Sequence, residues 1–215
     1  MTWAGADPGG YQSFGVARLG DDGSFSTHCV SSADEAVMWL GENIRGLGID
    51  CPLWWSSGPS AARLVDARLR QSYKNVRSGT IQEPNSLRGA VLVQGLMLAL
   101  RARERWPGLR ITEAHPKVLV VALNLCTRWN ELDVAPEWNK ACAQLGLSGP
   151  VPKTQHERDA VFAALAAREG FSGRWRQDLA ASPRNTSEKD LAGLLLGPIS
   201  YWWPENLMDG TGTEH

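Results

Sequence analysis

Apolar positions fall first at the spacing of strands and then at the spacing of helices. Thr2 to Ala6 reads as a short strand that ends at Asp7, where Pro8-Gly9-Gly10 is a strong turn signal. Phe14 to Leu19 and Phe25 to Val30 read as two further strands, separated by the turn Asp21-Asp22-Gly23. The chain therefore opens as an antiparallel meander. Ser32 and Glu35 form a capping box, since each side chain can satisfy a free N–H at a helix start. Val37, Leu40 and Ile44 follow at helical spacing, and Gly46 and Gly48 are expected to stop that helix. Residues 48–53 then predict a fourth strand running up to Pro52.

Residues 54–85 lack a clear period and mix Trp54-Trp55, Gly58-Pro59 and a short basic helix around 60–70, which predicts an inserted cap. Ser86 to Arg105 predicts a long helix, apolar almost all round from Ala90 to Leu100 and so buried in its middle. Leu109 to Glu113 predicts a fifth strand, and His115-Pro116 opens another helix. Gln155 to Arg168 is helical, with Ala163, Ala164, Ala166 and Ala167 allowing close packing on a sheet. A last strand is expected within Ile199 to Trp203, and a disordered tail over 206–215. Three antiparallel strands followed by α/β alternation is the RNase H-like order. The expectation is thus one α/β domain over 1–205, with a mixed five-stranded sheet flanked by helices and an insertion at 54–85.

Composition narrows the setting. No stretch reaches the ~18 apolar residues that a membrane span needs, and the first residues lack a signal peptide's basic and apolar regions. Four widely spaced cysteines without a C-x-x-C pair argue against a zinc ribbon and for a cytoplasmic protein. The net charge of −1 predicts no polyanion partner, but its distribution does. Residues 1–60 carry −5 and residues 61–110 carry +7, an acidic region beside a basic one. That division suits an enzyme that holds cations and a polyanion together, although a basic stretch is also what a solvated helix face looks like.

Four acids stand out by position: Asp7 ends the first strand, Asp50 ends the fourth, Glu113 ends the fifth, and Asp159 lies on the Ala-rich helix. Neighbouring strands one, four and five would bring the first three to one sheet edge. Crowded carboxylates repel in a low-dielectric cleft and call for cations or raised pKa values. Oxygen donors without clustered Cys or His favour Mg²⁺ or Mn²⁺. Two such ions can activate water and stabilise a leaving oxygen in phosphodiester cleavage. Each acid also has a plainer reading: a turn residue for Asp7 and Asp50, a strand residue with a partner for Glu113, and a solvated helix position for Asp159. His156, one turn before Asp159, is a candidate for proton transfer or phosphate contact, as is His115; each could equally be a surface or capping histidine. Arg63, Arg70, Lys74 and Arg77 are candidates for phosphate contacts and Trp54 or Trp55 for stacking on a base, or else these residues pin the cap to the body.

Four stretches together resemble one family: residues 5–10 (Gly-Ala-Asp-Pro-Gly-Gly), 49–53 (Ile-Asp-Cys-Pro-Leu), 113–118 (Glu-Ala-His-Pro-Lys-Val), and Arg158-Asp159-Ala160 followed by Ala163-Ala164. Arg63-x-x-Asp66-x-x-x-Arg70 also fits. The family is that of predicted RNase H-like nucleases known as domain-of-unknown-function family 429, and the resemblance runs from about residue 2 to 204. It implies an RNase H-like fold, nuclease activity on DNA or RNA, and Asp7, Asp50, Glu113 and Asp159 as the acidic site. Two other readings remain at this stage. One is a non-catalytic nucleic-acid or protein-binding module. The other is a phosphotransferase of the sugar-kinase and actin-like type, which needs a second such domain.

Overall fold

A computed structural model describes residues 1–56, 63–84, 86–181, 188–189 and 197–204. Three strands, β1 (Thr2–Asp7), β2 (Phe14–Gly20) and β3 (Phe25–Val30), form the expected meander. Helix α1 (Ala33–Leu40) starts at Ser32, whose hydroxyl accepts from Glu35 N–H. It ends at Gly41, not at Gly46 and Gly48, because Gly41 takes a left-handed φ of 71° and caps Val37 C=O. Ile44 therefore begins strand β4 (Ile44–Ile49), which stops short of the predicted residue 53.

The two glycines misread as helix stops lie inside β4 for a packing reason. A Cβ on Gly48 would lie 1.9 Å from Ala163 O, and one on Gly5 of β1 would lie 2.0 Å from Ala160 O. Both strands are bare on that face so that helix α6 (Gln155–Phe171) can lie directly on the sheet. Helix α6 is buried at every position from Glu157 to Ala167, far beyond one apolar stripe.

Between them the chain forms β5 (Trp55–Ser56), α2 (Leu64–Ser72), a 3₁₀ turn (Ser78–Thr80) and α3 (Gly89–Arg105). Strand β6 (Arg110–Glu113), α4 (Pro116–Ala122), a second 3₁₀ turn (Trp129–Asp133) and α5 (Ala135–Leu145) precede α6. After α6 come β7 (Gln177–Asp178), a third 3₁₀ turn (Leu179–Ala181), β8 (Glu188–Lys189), β9 (Ile199–Ser200) and β10 (Trp202–Trp203).

The main sheet has six strands, not five, in the order β3-β2-β1-β4-β6-β9. It is antiparallel across β3-β2-β1 and parallel from β1 through β4 and β6 to β9. The expected last strand is divided at Tyr201: β9 extends this sheet, whereas β10 pairs with β7. One apolar layer lies under α1 and α3 and includes Ala4, Ala6, Phe14, Leu47, Ile49, Leu98 and Ile111. The other surrounds α6 and includes Trp3, Leu69, Val118, Trp138, Phe162, Tyr201 and Trp203. Leu69, Val76 and Ile81 from the predicted cap belong to this second layer, so its described part packs on the body. Residues 57–62 and 85 of that insertion, and the predicted tail at 206–215, lie outside the described residues.

The middle of α3 is not buried all round as its composition suggested. Gly95, Leu98, Ala99 and Ala102 face the sheet, while Val93 and Met97 are exposed on the opposite side. Among the described residues, no helix is long and apolar enough to cross a membrane.

Candidate metal centre

Parallel pairing of β1, β4 and β6 brings their C-terminal ends to one edge of the sheet. Ala6 lies opposite Ile49, and Asp50 N–H donates to Ala6 C=O at 2.8 Å, so Asp7 and Asp50 leave adjacent strands in the same row. Helix α6 crosses this edge at its N-terminal end and supplies Asp159. Its first turn is set by Thr154, whose hydroxyl accepts from Glu157 N–H at 3.1 Å. One carboxylate oxygen from each of Asp7, Asp50 and Asp159 lies within 4.8 Å of the others.

The three carboxylates are held differently. Asp7 Oδ2 is 2.6 Å from His156 Nδ1, one turn before Asp159 on α6. With a carboxylate as partner, Nδ1 carries the proton and Nε2 is left for proton exchange. Asp159 is 1% exposed; its Oδ1 accepts from Arg158 Nε and Nη2 at 3.2 and 3.1 Å. Its Oδ2 accepts from Gln155 Nε2 at 3.3 Å and lies 3.7 Å from Lys117 Nζ. The carboxylate of Asp50 has no hydrogen bond or ion pair among the described residues.

Electrostatics follow from this crowding. Burial pushes the Asp7 carboxyl up to about 6; the His156 hydrogen bond opposes the rise and the Asp159 charge adds to it. Burial and the neighbouring Asp7 push Asp50 well above the usual carboxylate range. The hydrogen bond to Asp7 raises His156 above an ordinary histidine. A divalent cation bound to oxygen donors would remove the repulsion that raises Asp7 and Asp50, and the all-carboxylate set fits Mg²⁺ or Mn²⁺.

Glu113, the fourth expected acid, does not join this cluster. Its register partner is Ile49, one row before Asp50, and a one-residue offset turns a side chain to the other face of the sheet. There it accepts from Leu53 N–H at 2.9 Å and pairs with the buried guanidinium of Arg63 at 2.9 and 2.7 Å. Burial raises the Glu113 carboxyl and Arg63 opposes that rise.

Arg63 is consequently no phosphate contact: it is 1% exposed and also grips Asp66. Trp54 is buried against Arg63, its ring centroid 4.3 Å from the guanidinium carbon, and offers no face to a base. Arg70 is tied to Glu83 at 2.7 Å and to Ile81 C=O at 3.2 Å, a bracing role. Lys74 and Arg77 are exposed and, with Arg70, Asn75 and Val76, line a surface groove. Burial depresses His115 to about 4, leaving it neutral, and its electrostatic neighbours are Asp66, Lys117 and Arg63.

Lys117, Gln155 and Arg158 were not among the expected site residues, yet all three touch Asp159. A lysine just inside the helix that follows β6 is bound to lie near the same sheet edge, and that position was the available signal. No family model, curated protein or solved structure matches the chain.

Proposed function

We propose that this chain is a metal-dependent phosphodiester hydrolase of RNase H-like build, acting on DNA or RNA. The observation that carries the reading is the convergence of Asp7, Asp50 and Asp159, with Asp50 left unpaired among the described residues in a charge-crowded pocket. The β3-β2-β1-β4-β6 order, antiparallel and then parallel, supports the RNase H-like assignment. The resemblance of the sequence to the predicted nucleases of domain-of-unknown-function family 429 is part of the same proposal.

Asp7, Asp50 and Asp159 would hold Mg²⁺ or Mn²⁺, which supplies Lewis-acid polarisation of a phosphodiester and acidifies a water. His156 is placed to take a proton at Nε2 while Asp7 holds its Nδ1–H. Arg158 and Gln155 fix the Asp159 carboxylate from behind, so its geometry does not depend on substrate. Lys74 and Arg77 offer charge to a backbone phosphate along the groove beside α2. A reducing, cytoplasmic setting is part of the same proposal and is supported by four free cysteines.

The test is incubation with Mn²⁺ and single- and double-stranded DNA, RNA and hybrid duplexes. Cleavage is expected for the wild type and not for the Asp7→Asn, Asp50→Asn double variant. Equal cleavage by both proteins would overturn the assignment. Nucleic-acid binding without Mn²⁺ binding would instead identify a non-catalytic binding module.

A further inference from the structure

The two-ion arrangement expected of such a nuclease needs a carboxylate that gives one oxygen to each of two ions ~3.5–4 Å apart. Among the described residues only Asp50 keeps both oxygens for that, since Glu113 is committed to Arg63 through both of its own. Asp7 has given Oδ2 to His156, which leaves Oδ1 to share one ion with Asp50. A second ion would have to take Asp159 Oδ2, which already accepts from Gln155 Nε2 at 3.3 Å and lies 3.7 Å from Lys117 Nζ, while Oδ1 accepts from Arg158. The set therefore suits a single ion completed by water.

The flank where a second cation would help is already positively charged. Lys117 Nζ stands 3.7 Å from Asp159 Oδ2, and its side chain is 27% exposed, so it also meets solvent. Its place is fixed at both ends: the stem leaves the first turn of α4, and the ammonium lies 5.3 Å from the Trp129 ring centroid. Arg158 lies over the same ring at 5.5 Å. A fixed point charge at the rim of a metal pocket is suited to a phosphate oxygen.

Resting on the hydrolase reading above, we propose that the site takes one divalent cation and that Lys117 serves as the second positive group, contacting the substrate phosphate. Asp7, Asp50 and Asp159 would hold the cation, which would supply Lewis-acid polarisation, and the Lys117 ammonium would bind a phosphate oxygen. No covalent bond to the protein is formed.

The experiment is calorimetric titration of the full chain with Mn²⁺ alone, for the wild type, Lys117→Met and Lys117→Arg. One Mn²⁺ per wild-type chain is expected. Lys117→Met should also bind one, about tenfold more tightly, because a positive charge near the ion has been removed. The same variant, loaded with Mn²⁺, should bind a single-stranded oligonucleotide with a salt slope smaller by about 0.7, one phosphate contact's worth. Lys117→Arg should restore that slope. Two Mn²⁺ ions per wild-type chain would overturn this proposal and leave the hydrolase reading standing. No Mn²⁺ bound to the wild type would remove both. Weaker Mn²⁺ binding by Lys117→Met, not rescued by arginine, would make Lys117 a structural brace and overturn the proposal alone.

Discussion

Arg63 donates to both oxygens of Glu113 on one edge and to both oxygens of Asp66 on the other, all at 2.7 to 2.9 Å. Burial opposes the Arg63 charge, yet Glu113 and Asp66 keep its pKa well above the ordinary value. One guanidinium thus pairs with two carboxylates that are themselves nearly sealed from water, and it offsets one of their two charges. This cluster ties α2 to the end of β6, next to the Asp7–Asp50–Asp159 cluster but separate from it. Arg63→Met should leave two buried acids unpaired and cost about 3–5 kcal/mol of stability, read by urea unfolding. The salt slope of oligonucleotide binding should not change, since Arg63 reaches no phosphate. A stable variant with a reduced slope would restore the phosphate-contact role.

Stability of the metal-free protein should fall as pH rises. The folded pKa of Asp7 is about 6, against 3.8 as its ordinary value. Between those values the folded chain holds a proton that the unfolded chain has released, so deprotonation works against the fold. Asp7 alone accounts for a loss on the order of 3 kcal/mol between about pH 4 and pH 6. His156, raised by Asp7, acts in the same direction: its contribution is complete below its ordinary pKa and is lost as pH rises through the raised one. Urea midpoints in EDTA at pH 5 and pH 7.5 check the sign. Mn²⁺ should reverse it, because protons compete with the ion below about pH 6 and it stabilises the fold most above that.

Much of this was readable from the sequence, and the failures share a cause. The meander boundaries were set by turn residues at 8–10 and 21–23, which act locally and so can be read locally. The convergence of Asp7, Asp50 and Asp159 is legible because strand ends and one helix fix where acids emerge. Glu113 was misplaced because a single row of register decides which face it takes, and register is a property of two strands. Gly46 and Gly48 looked like helix stops because nothing nearby in sequence announces a helix that arrives more than 100 residues later. Arg63 and Trp54 look available to a substrate in the sequence for a similar reason: their partners, Glu113 and Tyr201, are distant along the chain.

Asp50→Asn should separate stability from function. The native carboxylate is crowded by Asp7 and Asp159 and has no partner of its own among the described residues. The amide removes that repulsion, so the metal-free variant should be more stable at pH 7.5 by about 0.5–2 kcal/mol. The rise in melting temperature on adding Mn²⁺ should disappear with it. A variant that loses stability while keeping the Mn²⁺ response would show that Asp50 braces the edge and holds no ion.

Gly48→Ala tests whether the sheet–helix spacing sets the site. The new Cβ would lie 1.9 Å from Ala163 O, backbone that cannot swing aside, so α6 must lift from β4. Asp159 and His156 ride on α6, whereas Asp7 and Asp50 stay with the strands. The substitution should therefore cost about 1–3 kcal/mol through overpacking. It should also weaken Mn²⁺ binding about tenfold or more, because one of three donors has moved relative to the others. Gly79→Ala is the matched control: a Cβ there meets nothing within 4 Å, and the change should stay within about 0.5 kcal/mol with Mn²⁺ affinity intact. Loss of stability in Gly48→Ala with undiminished Mn²⁺ affinity would mean that α6 does not carry a metal ligand. The ion would then be held by the strand ends alone.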